Sequence, residues 1–295
     1  MKKIVIFFIV IVLITACGKN EKIEKSGIKI VDSYGRTVVL KEVPKRIVSL
    51  APNMTEMIFE FGDGAKIVGR TNWCNYPIEA EKIENIGDIM NPNFEKIISL
   101  KPELVIMSTH SKVETAEKLE AVGINCVSLY GGENFEKIYQ MTADMGKILG
   151  KNREAEEKIK NMKKRVEDLE KKMAMVNKKS VYYMISFGRG GEYTAGGDTF
   201  ISELIERAGG ENCAKDLKGW HYSLEKLMEK DPEIIICSKK QNVLEQMKKS
   251  EGYRELKAVK TGKVYEIDND KIDRQSCRVI DGLYDMAKII HPELF

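Results

Sequence analysis

The chain carries an internal repeat whose two copies lie half a chain apart. Residues 93–108 and 223–238 align without a gap at an offset of 130, with six identities in sixteen positions, where ordinary residue frequencies give about one. Each copy has the pattern of a short amphipathic helix, a Lys-Pro or Asp-Pro stop and an apolar strand. A unit that recurs once, half a chain later, predicts two similar lobes in place of one large core. It also gives Glu95 and Glu225 equivalent positions.

The N-terminus has the pattern of an export signal. Met1–Lys3 is basic, and Ile4–Ala16 is an apolar run of 13 residues that ends directly before Cys17. A membrane-spanning helix needs about 20 apolar residues, so the run has the proportions of a signal peptide. A Cys after small residues resembles the bacterial lipoprotein signal, in which that Cys is acylated. We expect a signal peptide over 1–16, a lipidated Cys and flexible tether over 17–27, and a body anchored to the cell membrane that faces the periplasm or the cell exterior. Ordinary secretion and a short membrane anchor are the alternatives.

Charge and cysteine content exclude several classes of function. The chain has 48 basic and 45 acidic side chains, whereas nucleic-acid-binding proteins have a basic face and excess positive charge. No CxxC pair is present, which argues against a zinc ribbon or a thioredoxin-like motif. The pairing of the cysteines after Cys17 stays open, and they are Cys74, Cys126, Cys213, Cys237 and Cys277.

Strand and helix patterns alternate on both sides of a long helical stretch. The alternation fills residues 28–150 and resumes over 178–295, at the βαβ spacing that predicts mostly parallel sheets covered on both faces. Residues 151–177 are rich in Lys and Glu with apolar residues at helical spacing. This stretch predicts one helix over 152–175, about 36 Å long, between the lobes, with a coiled-coil dimer arm as the alternative. The predicted fold class is therefore α/β, with two similar lobes joined by one long inter-lobe helix.

A capping pattern is present where the first long helix of lobe one begins. Asn53 follows a short buried strand pattern, and Glu56 lies three residues further on. This is the spacing of a capping box. The pattern therefore gives Glu56 a local role at a helix start.

Aromatic and basic residues concentrate in the loops where ligands of such folds bind. In open α/β sheets the ligand lies outside the carboxyl ends of the strands, and two such edges facing each other would form a cleft. Aromatic rings there offer a stacking surface for a flat or bulky ligand, or they cap the core. Arginines there could pair with carboxylate or phosphate, or be structural. The candidates are Trp73, Tyr76, Tyr193, Trp220, Tyr222, Arg189 and Arg274.

Two of the three histidines lie at predicted cleft edges. His110 follows an apolar strand pattern, and His221 lies between two aromatic residues. This placement makes both of them candidate ligand-binding residues and raises a metal-ligand role as an alternative to ordinary polar surface. A bare-ion site needs three or four clustered ligands, and three histidines in the whole chain weaken a zinc or manganese binder. The chain has no GxSxG, GxGxxG or P-loop motif, so a binding protein is favoured over an enzyme.

Six segments, in order and over nearly all of the chain after the signal, carry a family resemblance. They are residues 46–56, 75–77, 87–88, 93–106, 199–212 and 231–236. Together they resemble the iron-chelate and vitamin-B12 class (class III) of periplasmic substrate-binding proteins. Members have two α/β lobes joined by one long helix, and they deliver iron–siderophore complexes, haem or cobalamin to an ABC importer.

The resemblance implies roles for individual positions. Glu95 and Glu225 match the acids on the lobe surfaces that dock to arginines of the permease. Tyr76 and Trp220 match cleft aromatics that contact the corrinoid in vitamin-B12-binding members. Arg274 matches a cleft arginine before the last helix. The implied partners are a permease with its ATPase subunits and a metal-chelate small molecule. The protein itself is expected to be a monomer with no resident cofactor.

Two departures from the family pattern leave the ligand open. Residues 88–90 read Asp-Ile-Met where the B12 binders carry a cleft Trp, and the usual Pro-rich stretch reads Arg-Gln-Ser-Cys-Arg over 274–278. Cobalamin and a ferric siderophore are therefore nearly level as expected ligands, with haem third. An exported lipoprotein enzyme on the same scaffold is the alternative from another class.

Overall fold

A computed structural model describes residues 27–187, 192–239 and 243–295. The predicted signal peptide, Cys17 and Arg189 lie outside these ranges. Among the described residues, no helix has both the length and the apolar character needed to cross a membrane.

The first lobe is a hairpin followed by a four-stranded parallel sheet. The hairpin strands pair antiparallel, and the parallel sheet has the order β4-β3-β5-β6. The strands are β1 (Ile28–Val31), β2 (Thr37–Leu40), β3 (Ile47–Ser49), β4 (Ile67–Arg70), β5 (Leu104–Met107) and β6 (Asn125–Ser128). The helices are α1 (Pro52–Glu60), α2 (Phe94–Ser99), α3 (Val113–Glu120) and α4 (Phe135–Leu149).

The helix α5 (Asn152–Met173) joins the lobes. One face of it is buried within the chain, through Ala155, Met162, Val166, Leu169 and Met173. It packs against α4 of the first lobe and against two helices of the second lobe. The inter-lobe helix is thus confirmed. The coiled-coil interpretation is wrong, because the apolar stripe that would form a dimer seam is already covered.

The second lobe has a mixed sheet with the order β10-β8-β7-β11-β12, and β9 also pairs with β7. The strand β8 pairs antiparallel with both β7 and β10, and the other pairings are parallel. The strands are β7 (Lys179–Ser186), β8 (Glu192–Thr194), β9 (Gly210–Asn212), β10 (His221–Tyr222), β11 (Ile234–Ser238) and β12 (Val264–Ile267). The helices are α6 (Phe200–Arg207), α7 (Leu224–Lys230), α8 (Val243–Lys249), α9 (Lys257–Lys260), α10 (Asn269–Asp273) and α11 (Val279–Ile290).

The apolar core is continuous between the lobes. One buried cluster includes Ile106 on β5 and Ile236 on β11, together with residues of α4, α5 and α11. The outer face of each sheet has a separate cluster of its own. The repeat therefore predicts two sheets correctly, but the expectation of separate cores is wrong, because the joining helices bury the inner faces of both sheets together.

The two repeat copies also match in their local hydrogen bonding. Asn93 Oδ1 accepts the backbone N–H of the third residue after it at 3.0 Å, and Ser223 Oγ does the same at 3.2 Å. Glu103 and Glu233, which follow the two prolines, each accept a backbone N–H beside a neighbouring strand, at 3.3 Å and 3.1 Å. The helix starts are therefore fixed by equivalent but different residues, and the identical Glu103 and Glu233 tie each unit to its sheet.

Candidate functional site

A cleft of about 510 Å³ opens between the lobes. Its walls come from the carboxyl ends of strands in both sheets, which is where open α/β folds bind ligands. Ser108 and Ser238, the last residues of the two repeat copies, line it from opposite lobes. The two predicted strand edges therefore do face each other. Most of the remaining lining is apolar or aromatic: Ala51, Pro52, Ile89, Tyr130, Tyr183, Ile185, Phe200, Ile201, Trp220 and Ile272.

Trp220 is the largest side chain in the cleft wall, and its ring remains 43% exposed. The short strand β10 follows it and pairs with β8, so that His221 lies opposite Tyr193. Thr194 N–H also donates to the Trp220 carbonyl at 2.8 Å. Trp220 lies in a loop, as expected, but Tyr193 and Tyr222, which were also expected in loops, belong to a two-residue ladder that holds this segment in place. The backbone of Trp220 is thus fixed while its ring stays available for stacking.

The two candidate histidines lie in different environments. His110 is exposed, lines the cleft and lies 3.4 Å from Ser108 Oγ through Nδ1. The ring of His221 packs against Tyr193, with centroids 4.3 Å apart, and is not part of the cleft wall. Among the described residues, no three His, Cys, Asp or Glu side chains are grouped to hold a metal ion. The structure thus brings one histidine to the cleft and leaves the other beside it.

A buried charge cluster joins the lobes at one end of the cleft. Glu56 of α1 accepts hydrogen bonds from Arg274 at 3.0 Å, Arg278 at 2.8 Å and Ser276 at 3.0 Å. The Glu56 side chain is fully buried and both guanidinium groups are nearly so. The capping-box prediction is wrong: Pro52 begins the helix, and no side chain caps it. Glu56 points from the first lobe into the second.

Two candidate aromatics, Trp73 and Tyr76, lie on a loop that the same arginines hold. Arg274 donates to the Trp73 carbonyl at 3.3 Å and to Asn75 Oδ1 at 2.8 Å. The guanidinium carbon of Arg278 lies 3.7 Å from the centroid of the Tyr76 ring, a cation–π contact. Neither ring lines the cleft, although both are well exposed. The predicted ligand arginine, Arg274, is thus engaged by protein groups, while its loop partners form an exposed surface nearby.

Reciprocal contacts also connect the two lobes beside Tyr130. Glu133 accepts the Phe200 N–H at the start of α6 at 2.9 Å, and Glu203 accepts the Phe135 N–H at the start of α4 at 3.1 Å. Tyr130 donates its hydroxyl to Glu133, and burial followed by this contact raises the pKa of the phenol. Tyr130 is therefore a neutral hydrogen-bonding group in the cleft wall. We did not predict it, yet the carboxyl-edge rule applied to β6 identifies it.

The two repeat acids lie on the surface. Glu95 and Glu225 are each the second residue of a short helix and are exposed. Within the described part of the chain, neither carboxylate has a hydrogen bond or an ion pair. Glu225 acts on its surroundings through charge: burial, and then the Glu225 charge, raise the pKa of Glu192 on β8 to about 7.

The cysteines are unpaired among the described residues. Cys74, Cys126, Cys213, Cys237 and Cys277 are all free thiols. Burial raises the pKa of Cys126 and of Cys237 to about 12. A high pKa leaves little of the reactive thiolate at neutral pH, so these two buried residues are inert parts of the core.

The fold and cleft correspond to a known family. Residues 47–271 match the family described as periplasmic binding protein, and the chain belongs to this family. It is 32% identical to an uncharacterised ABC transporter substrate-binding lipoprotein of Bacillus subtilis (strain 168), over 96% of this chain and 95% of that one. The chain is thus a substrate-binding protein of an ABC importer, with a permease partner and a small-molecule ligand. The family and these relatives are substrate-binding proteins of transport.

Two further similarities place it within the family. A cobalamin-binding protein of Halobacterium salinarum (strain ATCC 29341 / DSM 671 / R1) is 25% identical over 88% of this chain and 73% of its own length. The apo structure of a periplasmic haem-binding protein from Roseiflexus sp. RS-1 superposes with a TM-score of 0.78 at 23% identity. That alignment covers 85% of this chain and 99% of the other. The structural likeness shows a shared class III fold.

Proposed function

We propose that the chain is an exported, lipid-anchored protein that captures a corrinoid such as cobalamin in the inter-lobe cleft and hands it to an importer. The assignment of the ligand rests on the chemistry of the cleft wall. The wall is mostly aromatic and aliphatic, and its one described cationic side chain, Arg274, is bound to Glu56 and Asp270 of the protein itself. The resemblance to a cobalamin-binding protein supports the same ligand.

Charge distinguishes the candidate ligands. Catecholate and carboxylate siderophores carry several negative charges around iron, and haem carries two propionates; such groups call for cationic partners. The other charged side chains of the described wall, Glu133 and Asp273, are acidic. A corrinoid presents a broad rim of methyl and amide groups, which suits aromatic stacking and neutral polar groups such as Tyr130, whose hydroxyl oxygen can accept an amide N–H.

The mechanism follows from how the lobes are joined. Ligand enters the open cleft and contacts Trp220, with His110 available near the metal of the chelate and Tyr76 at the rim. The lobes close only slightly, because α5 and the Glu56 cluster connect them rigidly. The loaded protein then docks through Glu95 and Glu225 to a permease with attached ATPase subunits. In this proposal Cys17 carries the lipid, the protein acts as a monomer, and the ligand is released unchanged.

Thermal unfolding with a panel of chelates tests the ligand. A compound that binds only the folded state, present at 100 times its Kd, stabilises the protein by about 2.7 kcal/mol. We expect this shift with cyanocobalamin and none with the negatively charged ferric enterobactin or ferric citrate. A shift with haemin or a siderophore alone would identify that compound as the ligand in place of a corrinoid. No shift with any chelate would contradict the proposed ligand class.

Substitution of Trp220 tests the stacking surface. We expect Trp220→Ala to weaken cyanocobalamin binding about 30-fold, because a central aromatic in an interface contributes about 2 kcal/mol. The measurement is isothermal titration calorimetry. Tyr265→Ala removes a comparably exposed ring on β12, outside the cleft wall, and is the matched control. Equal affinities of Trp220→Ala and the control variant would show that the ligand does not stack on this ring.

A further inference from the structure

The outward faces of α2 and α7 share more than an acid. One turn after Glu95 lies Ile98, and one turn after Glu225 lies Met228. The repeat offset of 130 makes Ile98 and Met228 equivalent. Both apolar side chains face solvent, with exposures of 45% and 44%. Each lobe therefore shows the same pair on its surface, a carboxylate and an exposed apolar side chain.

Comparison along the two helices shows that this match is selective. Five pairs of equivalent positions are exposed in both copies between residues 94 and 101. Residues 95 and 96 are identical to residues 225 and 226, and residues 98 and 228 are both apolar. At the other two positions the residues differ in character: Ser99 corresponds to Glu229, and Lys101 corresponds to Asp231. Single exposed apolar residues are common and need no explanation. An apolar residue that recurs in both copies, each time beside the same acid, indicates a shared role.

Helix geometry places each acid and its apolar neighbour on one face. In α2, Phe94 and Ile97 pack inward on the outer cluster of the first sheet. In α7, Leu224 and Leu227 do the same on the second sheet. The second and fifth residues of each helix therefore point away from the lobe. Residues three apart on a helix have Cβ atoms about 5–6 Å apart, so each pair forms one continuous spot.

Both spots lie on the same side of the molecule as the cleft. The helices α2 and α7 lead into the parallel strands β5 and β11. A helix that precedes a parallel strand runs back from the carboxyl edge of the sheet to the amino edge. The start of each helix is therefore at the carboxyl edge, where Ser108 and Ser238 line the cleft. A partner that contacts both spots would cover the mouth of the cleft.

We propose that Glu95 with Ile98 and Glu225 with Met228 form two equivalent docking spots, each of which fits a socket that combines a cation with an apolar recess. The inference rests on the proposed function, and the occupant is the pair of similar membrane-spanning subunits of the importer. The unpaired carboxylates supply charge complementarity. An apolar contact beside them excludes water from the ion pair and carries binding energy that charge alone does not give.

Uptake by cells measures the apolar half of the contact. We expect Ile98→Ser with Met228→Ser to lower uptake of labelled cyanocobalamin at least tenfold, since each site loses a buried aliphatic contact. The Kd of the purified protein for cyanocobalamin should stay within twofold. The swap Ile98→Met with Met228→Ile keeps both sites apolar and should retain uptake. Val122→Ser with Met175→Ser removes two apolar side chains that are also exposed, and serves as the matched control.

Photo-crosslinking gives a readout that does not depend on the ligand. With p-benzoylphenylalanine at position 98 or 228, we expect irradiated cells to yield adducts identified by mass spectrometry as permease subunits of an ABC importer. Position 122 should give none. Unchanged uptake in the double serine variant, equal loss in the swap, or absence of these adducts would overturn the inference. If the chain imports no cobalamin, the proposed ligand fails and the adducts alone decide the docking spots.

Discussion

Replacement of Glu56 by Gln is expected to lower the free energy of unfolding by about 3–5 kcal/mol. The carboxylate is fully buried and compensates two guanidinium groups, of Arg274 and Arg278, that are themselves nearly buried. Its removal takes from Arg278 the carboxylate with which it pairs and leaves Arg274 with Asp270, and a buried charge that loses its partner costs far more than the intact pair contributes. Urea unfolding followed by circular dichroism measures the change.

Glu60 gives a matched control on the same helix. It lies one turn beyond Glu56, and it accepts the Cys277 N–H over a long distance of 3.3 Å. Burial raises the pKa of Glu60, so its ionised form is already disfavoured and Glu60→Gln should cost less than about 1 kcal/mol. A Glu56→Gln variant as stable as Glu60→Gln would show that the cluster does not hold the lobes together.

The cluster also makes a prediction about the cleft, because Arg274 and Arg278 hold the loop that carries Trp73 and Tyr76. If Glu56 fixes this loop, Glu56→Gln should weaken cyanocobalamin binding as well as stability, while Glu60→Gln leaves both unchanged. The same titrations as for Trp220→Ala measure it. Loss of stability with full affinity would limit Glu56 to a structural role.

Reversal of both repeat acids, Glu95→Arg with Glu225→Arg, is expected to reduce ligand uptake to less than a tenth of the wild-type rate. Each change replaces attraction to a cationic socket by repulsion. Such interfacial charge changes cost about 2–5 kcal/mol of binding free energy, and a loss of about 1.4 kcal/mol already weakens binding tenfold. Ligand affinity should be unchanged, because neither residue lines the cleft. Uptake by cells that carry the variant in place of the native chain is the measurement.

The control must change charge equally at other positions. Glu114→Arg with Glu251→Arg alters the net charge by the same amount at two exposed acids outside the repeat helices. Wild-type uptake in this control, together with loss in the first variant, would localise docking to α2 and α7. Normal uptake after reversal of Glu95 and Glu225 would exclude them as docking residues.

Local sequence signals predicted the elements of the fold well, and failed where long-range contacts decide. The helix over Asn152–Met173 and the strand over Ile234–Ser238 follow from apolar periodicity, a property of neighbouring residues. The strand β10 could not be predicted from such signals, because a two-residue strand exists only through its pairing with β8. The capping pattern at Asn53 and Glu56 misled for a similar reason. A proline at the first helical position replaced the cap, and partners more than 200 residues away took the carboxylate.

The sequence by itself determined the two-lobed α/β architecture, the equivalence of Glu95 and Glu225, and the strand ends at which a ligand would lie. These depend on periodicity, turn residues and the repeat, all of which are written in short stretches of chain. Only the tertiary structure showed that the lobes share a core and are tied by the Glu56 cluster as well as by the predicted helix. It also decided which candidates line the cleft: Trp220, His110 and Arg274 do, with Arg274 held by Glu56, whereas Trp73, Tyr76 and His221 do not. Such choices depend on which distant side chains meet, and the geometry of the whole chain determines that.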